Sequence, residues 1–200
     1  GGGGEVVVAF RGTAGYADVL VDARVRLQDM SHKSVHKGIR EGLRVHTGFH
    51  AAADAVLPAL LSALRTVCGA AEGAPVPKGW RVYLTGHSLG GALAQLVALE
   101  LALVHGVSSE QLCVYTYGQP RVGNADFAAA LDASVPHCWR VVASHDVVPR
   151  WPRDLLHALR PLRYRHGGRT AVMDDRDGRE PGWWLEEERG GGGGGGPPRP

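Results

Sequence analysis

Residues 81–105 read RVYLTGHSLGGALAQLVALELALVH and carry the pattern Gly-x-Ser-x-Gly around Ser88. The run before this pattern, Arg81–Thr85, is rich in β-branched and aromatic residues, which is typical of a strand. The run after it, Leu89–His105, repeats apolar residues at helical spacing. A strand, a sharp turn and a helix together can hold a serine hydroxyl exposed at the end of a sheet. The stretch therefore predicts Ser88 at a strained turn as a candidate nucleophile.

Glycine and the helix terminus support this interpretation. Gly86 and Gly90 remove the Cβ atoms that would clash as the backbone turns. The first N–H groups of the helix favour a negative charge that develops beside the serine. The alternative interpretation is a glycine-rich strand–helix turn that happens to contain a serine, because such a turn has the same sequence pattern.

The rest of the chain alternates short β-rich runs with longer helical patterns, which predicts an α/β fold. We expect a mainly parallel sheet with helices on both faces. The predicted strands are Val6–Phe10, Arg81–Thr85, Leu112–Tyr117 and Trp139–Ala143, with Leu162–Arg165 and Thr170–Val172 as an edge hairpin. The predicted helices are Phe49–Val67 (apolar stripe Val56, Leu60, Leu64, Val67), Leu89–His105, and Ala125–Asp132 capped by Asn124.

Composition divides the chain into one domain and two ends. Residues 1–4 are all glycine and are expected to be a linker, and residues 5–185 form the predicted domain. The folded unit is clearest from Glu5 to Val172. Residues 186–200 are rich in glycine and proline and are expected to be a disordered tail.

Charge, cysteine content and hydropathy exclude several function classes. With 22 basic and 20 acidic residues, the net charge is only +2, so we expect no nucleic-acid partner. The three cysteines lie in apolar runs and resemble core residues more than a disulfide framework or a zinc site. No run approaches the ~20 uninterrupted apolar residues that a membrane span needs, so no transmembrane span is expected.

Two pairs of histidines have the spacing of metal ligands on a helix. These are His32 with His36, and His46 with His50. Neither pair has the intervening glutamate or the third ligand of a zinc protease. We therefore expect solvated or capping histidines and no metal.

Five segments in order resemble the class 3 (fungal-type) lipases of the α/β-hydrolase superfamily. They are residues 6–13 (VVVAFRGT), 45–49 (VHTGF), 84–91 (LTGHSLGG), 117–123 (YGQPRVG) and 144–150 (SHDVVPR). The resemblance spans about residues 5–170. It implies a serine carboxylester hydrolase acting on acylglycerols or other lipid esters, with transient contact to a lipid interface and without a cofactor.

The resemblance also implies roles for individual residues. Ser88 would be the nucleophile and Asp146 the acid of a catalytic triad, and the N–H groups of Thr13 and Leu89 would form the oxyanion hole. Tyr16–Leu27 lies where such lipases carry a lid, although an ordinary packing helix has the same pattern. The same fold could also accept a galactolipid, a phospholipid or a small ester.

The chain departs from the family at the third member of the triad. The family places its catalytic histidine after the edge hairpin, but no histidine follows Val172 here. We expect that this histidine lies beyond Pro200, the chain being truncated at its C-terminal side. A parent protein without the histidine, which would be a lipase-like binding or signalling scaffold, is the rival interpretation. His166 and His157 are the weaker stand-ins within the chain.

Overall fold

The computed structural model describes residues 2–12, 27–30, 42–152, 163–174 and 182–186. These residues form strands and helices whose bounds in chain order are β1 Gly4–Phe10, β2 Leu27–Asp29, β3 Arg44–His46, α1 Thr47–Cys68, β4 Trp80–His87, α2 Leu89–Leu103, β5 Leu112–Tyr117, β6 Gly123–Asn124, α3 Ala125–Ser134, β7 Cys138–Ala143, β8 Tyr164–Arg165, β9 Arg169–Asp174 and β10 Gly182–Glu186. A short 3-10 turn, Val148–Arg150, follows β7.

Six strands form the main sheet, in the order β1-β4-β5-β7-β9-β10. The first five run parallel to their neighbours, and β10 pairs antiparallel with β9. Gly86 lies opposite both Phe10 of β1 and Thr116 of β5, so three neighbouring strands end at the same edge. In parallel α/β sheets this carboxyl edge is where ligands bind.

The hydrophobic core lies between the sheet and α2. Val82, Leu84 and Val114 are fully buried on this face, and α2 is buried almost all round. Helices α1 and α3 both contact α2, so the three described helices lie on the same side of the main sheet. On the other face, Val7 and Tyr117 are 66% and 46% exposed. The expected α/β fold with a mainly parallel sheet is confirmed.

A second, smaller antiparallel sheet joins β2, β3, β6 and β8 in that order. Its existence corrects the predicted edge hairpin, because β8 pairs with β6 whereas β9 runs parallel to β7 in the main sheet. The physical reason lies in the connection between them. Gly168 has a φ of +85°, and a Cβ there would lie 2.7 Å from the sulfur of Cys138, so the chain turns tightly alongside β7.

The helix ends follow local signals that the sequence carries. The side-chain oxygen of Asn124 accepts a hydrogen bond from Phe127 N at 3.0 Å, which confirms the predicted cap of α3. The predicted stripe of α1 is partly wrong, since Val56 and Val67 are 39% and 55% exposed. The buried face is rotated, and its members are Phe49, His50, Ala53, Leu64 and Cys68. The three cysteines are free and buried, as expected.

Helix α1 is long and apolar enough that length and composition alone would also suit a membrane span. Of its apolar window, 17% is buried within the described structure. Phe49, Ala53 and Leu64 of α1 belong to the hydrophobic core, where the helix contacts α2.

Candidate active site

Ser88 lies between the last residue of β4 and the first residue of α2, in a strained backbone conformation. Its φ of 58° and ψ of −123° make it the one non-glycine residue with positive φ among the described ranges. Such a conformation costs roughly 1–3 kcal/mol and persists only where the surroundings impose it. Here Ser88 N donates to Tyr117 O at 2.8 Å, while Ser88 O accepts from Gly91 N and Ala92 N. The predicted strained turn is confirmed.

Two glycines make the turn sterically possible. A Cβ on Gly86 would lie 2.3 Å from the carbonyl carbon of Gly90. A Cβ on Gly90 would lie 2.2 Å from the carbonyl oxygen of Phe10. Both contacts are with backbone atoms that cannot rotate away, so the predicted requirement for glycine at these positions is confirmed.

Of the two residues expected to form the oxyanion hole, the structure describes Leu89. Leu89 is the first residue of α2, so its N–H has no partner within the helix. Gly12 packs on the other side of the turn, where a Cβ would lie 2.8 Å from the carbonyl oxygen of His87. Thr13 and most of the predicted lid, Tyr16–Leu27, lie outside the described residues. The described contact nonetheless brings the segment that leads to Thr13 against the serine turn.

Asp146 follows β7 and lies partly buried near the carboxyl edge of the sheet. Its N–H donates to Ala143 O at 2.9 Å, and its Oδ1 accepts from Val148 N at 2.9 Å. Its Oδ2 lies 2.6 Å from the point where a Cβ on Gly118 would stand, and His87 Nε2 lies 3.4 Å from that same point. The structure thus brings the Asp146 carboxylate close to the residue that precedes Ser88.

His166, the in-chain stand-in for the missing base, has a different environment. Its Nε2 is 2.7 Å from Pro149 O, and its Nδ1 is buried without a hydrogen-bond partner. Burial, and then the positive charge of Arg140, lower the pKa of His166 well below its ordinary value. The neutral ring therefore supports the loop that follows Asp146. His157, the other stand-in, lies outside the described residues.

The histidines with metal-ligand spacing have structural roles where they are described. Nδ1 of His46 accepts hydrogen bonds from Gly48 N and Phe49 N, which caps α1 and confirms the capping interpretation. Burial lowers the pKa of His46 to about 4. His50 Nδ1 lies 2.6 Å from Gln28 Nε2. Within the described ranges no three potential ligands cluster, and His32 and His36 lie outside those ranges.

A buried amide pair behind the serine turn was not predicted from the sequence. Gln119 Nε2 donates to Gln95 Oε1 at 2.6 Å, and Gln95 Nε2 donates to Gly167 O at 3.1 Å. These bonds tie α2 to the segment after β5 and to the β8–β9 connection. The available signal was Gln95 within the apolar run Ala92–Leu99, because a buried amide needs hydrogen-bond partners.

A mostly parallel sheet whose β4–α2 turn holds a strained serine defines the α/β-hydrolase type of active site. The family model for lipase (class 3) matches residues 7–155, and the chain belongs to that family. The family resemblance of the five sequence segments is thereby confirmed.

Several curated proteins named as lipases or phospholipases are similar in sequence to part of the chain. A Caenorhabditis elegans lipase is 49% identical over 75 residues, which cover 38% of this chain and 21% of the relative. A triacylglycerol lipase of Arabidopsis thaliana is 45% identical over 100 residues, covering 47% and 18% of the two chains. A chloroplastic phospholipase A1 of the same plant is 36% identical over 112 residues, covering 48% and 21%.

Solved lipase structures share the fold. A lipase from Rhizopus microsporus superposes with a TM-score of 0.69 at 30% identity, covering 84% of this chain and 52% of that lipase. A triacylglycerol lipase whose catalytic centre is formed by a serine protease triad gives a TM-score of 0.63 at 29% identity, covering 84% and 57%. The chain spans about half of these structures and about a fifth of the curated relatives.

Proposed function

We propose that the chain carries the nucleophile and the acid of a serine carboxylester hydrolase that cleaves acyl esters of lipids. The strained conformation of Ser88 at the N-terminus of α2 carries this proposal. A positive φ at a residue other than glycine has a free-energy cost, and such strain is concentrated at functional sites. Membership of the class 3 lipase family supports the same reaction class.

The chemistry follows from the geometry of the turn. The Ser88 oxygen attacks the ester carbonyl carbon while its proton passes to a histidine base. The carbonyl oxygen becomes an oxyanion, which the N–H groups of Leu89 and Thr13 stabilise, each by about 3–4 kcal/mol. The alcohol leaves with the proton from the histidine, and water then attacks the acyl-Ser88 ester and releases the fatty acid. No metal or cofactor enters these steps.

The base is proposed to come from sequence beyond Pro200. Asp146 lies beside the serine turn, where its carboxylate could orient and stabilise an imidazolium, as in a Ser-His-Asp triad. Of the ten histidines in the chain, none follows His166. His166 itself is committed to Pro149 O, which supports a base from elsewhere.

The proposed substrate is an acylglycerol or a related lipid ester at a lipid interface. Triacylglycerol lipase and phospholipase A1 relatives are comparably similar to the chain. Both names describe carboxylic ester hydrolysis, so the acyl ester is the shared feature and the head group is not. The oxyanion chemistry requires only the ester carbonyl.

A lipase-like scaffold with an incomplete triad is the second candidate. The observation that favours it is that no histidine follows His166 within these 200 residues. Without a triad member, the oxyanion hole and binding alone leave only residual catalysis over water. The two candidates differ in whether Ser88 reacts as a nucleophile.

Phosphonylation separates the two candidates. An alkyl phosphonate p-nitrophenyl ester is reacted with the chain extended beyond Pro200 by its natural sequence, with Ser88→Ala and Ser62→Ala variants alongside. We expect release of p-nitrophenolate and a phosphonyl mass on the Ser88 peptide, unchanged in Ser62→Ala and lost in Ser88→Ala. Absence of Ser88 labelling in the extended, folded chain would establish the scaffold instead.

A further inference from the structure

We propose that Arg121 is a positioning residue for Asp146. Its guanidinium and its backbone N–H hold the loop that presents the Asp146 carboxylate. The proposal rests on the proposed function in one respect, namely that Asp146 is the acid of the triad. It concerns a residue outside the triad and the oxyanion hole.

Arg121 contacts three consecutive carbonyl groups of this loop. Its Nη1 donates to Arg150 O at 3.0 Å and to Pro152 O at 2.7 Å. Its backbone N–H donates to the carbonyl between them, Trp151 O, at 2.8 Å. One residue thus binds three carbonyl groups at the end of this loop.

Hydrogen bonds within the loop connect these carbonyl groups to the carboxylate. Trp151 N donates to Val148 O at 2.9 Å, and Val148 N donates to Asp146 Oδ1 at 2.9 Å. Arg150 Nη2 also reaches Ser144 O at 3.3 Å, which closes the loop on itself. These bonds therefore link the position of Trp151 to that of Val148, and the position of Val148 to that of Asp146 Oδ1.

The same short segment after β5 also shapes the space around Oδ2. Gly118 has a φ of +54°, and a Cβ there would lie 2.6 Å from Asp146 Oδ2. Gly118 N in turn donates to Val141 O of β7 at 2.9 Å. Residues 118–121 thus leave room for one carboxylate oxygen and anchor the loop that holds the other.

Arginine suits this role better than lysine does. Its planar guanidinium presents several donors in a fixed geometry, whereas the lysine ammonium is a flexible point charge. Two carbonyl oxygens can be held at once only if the donor is oriented towards both. Arg121→Lys should therefore retain part of the side-chain anchoring and Arg121→Gln almost none of it, while the backbone bond to Trp151 O remains in both.

Two measurements test the proposal on the chain extended beyond Pro200 by its natural sequence. Amide exchange of Val148 N–H, measured by NMR, reports directly on its bond to Asp146. Steady-state hydrolysis of a short-chain p-nitrophenyl ester gives kcat and KM. Arg65→Gln is the matched control, because Arg65 Nε also donates to a loop carbonyl, Ala74 O, at 3.4 Å.

For Arg121→Gln we expect at least tenfold faster exchange of Val148 N–H and a fall in kcat of about 10- to 100-fold, with KM within about twofold. Arg121→Lys should lie between the wild type and Arg121→Gln, and Arg65→Gln should match the wild type in both measurements. An unchanged Val148 exchange, or faster exchange with unchanged kcat, would overturn the proposal. If Ser88→Ala retains wild-type activity, the proposed function fails instead, and Val148 exchange still tests the anchoring by Arg121.

Discussion

The carbonyl oxygen of Phe10, at the end of β1, lies 2.2 Å from the point where a Cβ on Gly90 would stand. The first turn of α2 therefore touches the neighbouring strand backbone to backbone. This contact places the N-terminus of α2, with Ser88 before it, directly beside the segment that leaves β1. The absence of a side chain at Gly90 thus allows Ser88 to lie beside the segment that follows β1.

Gly90→Ala should destabilise the protein more than a surface glycine substitution does. The added methyl group would overlap a backbone oxygen, and either β1 or α2 would have to move, at a cost of about 1–3 kcal/mol. Gly182→Ala is the control, because a Cβ there meets nothing within 4 Å. Urea unfolding should show a change below about 0.5 kcal/mol for that control. Equal stabilities of the two variants would contradict the close contact.

Ser88→Gly should be more stable than Ser88→Ala by about 1–2 kcal/mol. Both variants lack the hydroxyl, but only glycine adopts the φ of 58° and ψ of −123° of this position without strain. Thermal or urea unfolding of the two variants measures the difference. An alanine variant as stable as the glycine variant would mean that the turn is not strained.

Gly118→Ala should displace Asp146, whereas Gly73→Ala should not. Both glycines have positive φ, +54° and +75°, so both substitutions share a backbone cost of about 1 kcal/mol. A Cβ on Gly73 meets nothing within 4 Å, but one on Gly118 overlaps Asp146 Oδ2. We expect Gly118→Ala alone to lower kcat in the extended chain by about tenfold or more. Comparable kcat values for the two variants would contradict the assigned position of the carboxylate.

Stability should fall as the pH drops from 7.5 to 5, and His46 should cause part of that fall. Burial lowers the pKa of His46 to about 4 in the folded state, below the ordinary value of 6.5. Between these values the unfolded chain binds the extra proton, so the contribution of His46 is present above pH 6.5 and is lost towards pH 4. The part of this contribution lost between pH 7.5 and pH 5 amounts to about 2 kcal/mol.

His46→Gln provides the comparison, because glutamine offers an acceptor for the helix cap but does not titrate in this range. Urea unfolding at pH 7.5 and pH 5 should show a smaller fall in the free energy of unfolding for the variant. Identical falls for the variant and the wild type would mean that His46 is not the group that titrates. His166, whose pKa is also lowered, is unchanged in both proteins.

Local signals in the sequence predict the serine turn and much of the sheet. Glycine at positions 86 and 90, a β-rich run before Ser88 and a helical pattern after it are all short-range features, and the structure retains each of them. Strand β5, Leu112–Tyr117, has the predicted bounds. The cap by Asn124 is likewise a matter of neighbouring residues.

Local signals do not predict which strands pair when they are distant in the sequence. The pairing of β8 with β6 joins Tyr164 to Asn124, and nothing in the polar run around Tyr164 indicates its partner strand. The carbonyl groups that Arg121 holds belong to a loop about thirty residues further along the chain. Which face of α1 is buried also depends on where α2 packs. The apolar pattern alone therefore predicted wrongly that Val56 and Val67 lie on the buried face.

The central claim, that Ser88 is the nucleophile of an ester hydrolase, is tested most directly by turnover of a short-chain p-nitrophenyl ester. The experiment compares four proteins. They are the 200-residue chain, the chain extended beyond Pro200 by its natural sequence, and the Ser88→Ala variant of each. We predict little Ser88-dependent turnover in the 200-residue chain and a rate in the extended chain that Ser88→Ala lowers by about 10⁴-fold or more. An extended, folded chain whose rate is the same with serine and with alanine at position 88 would contradict the account.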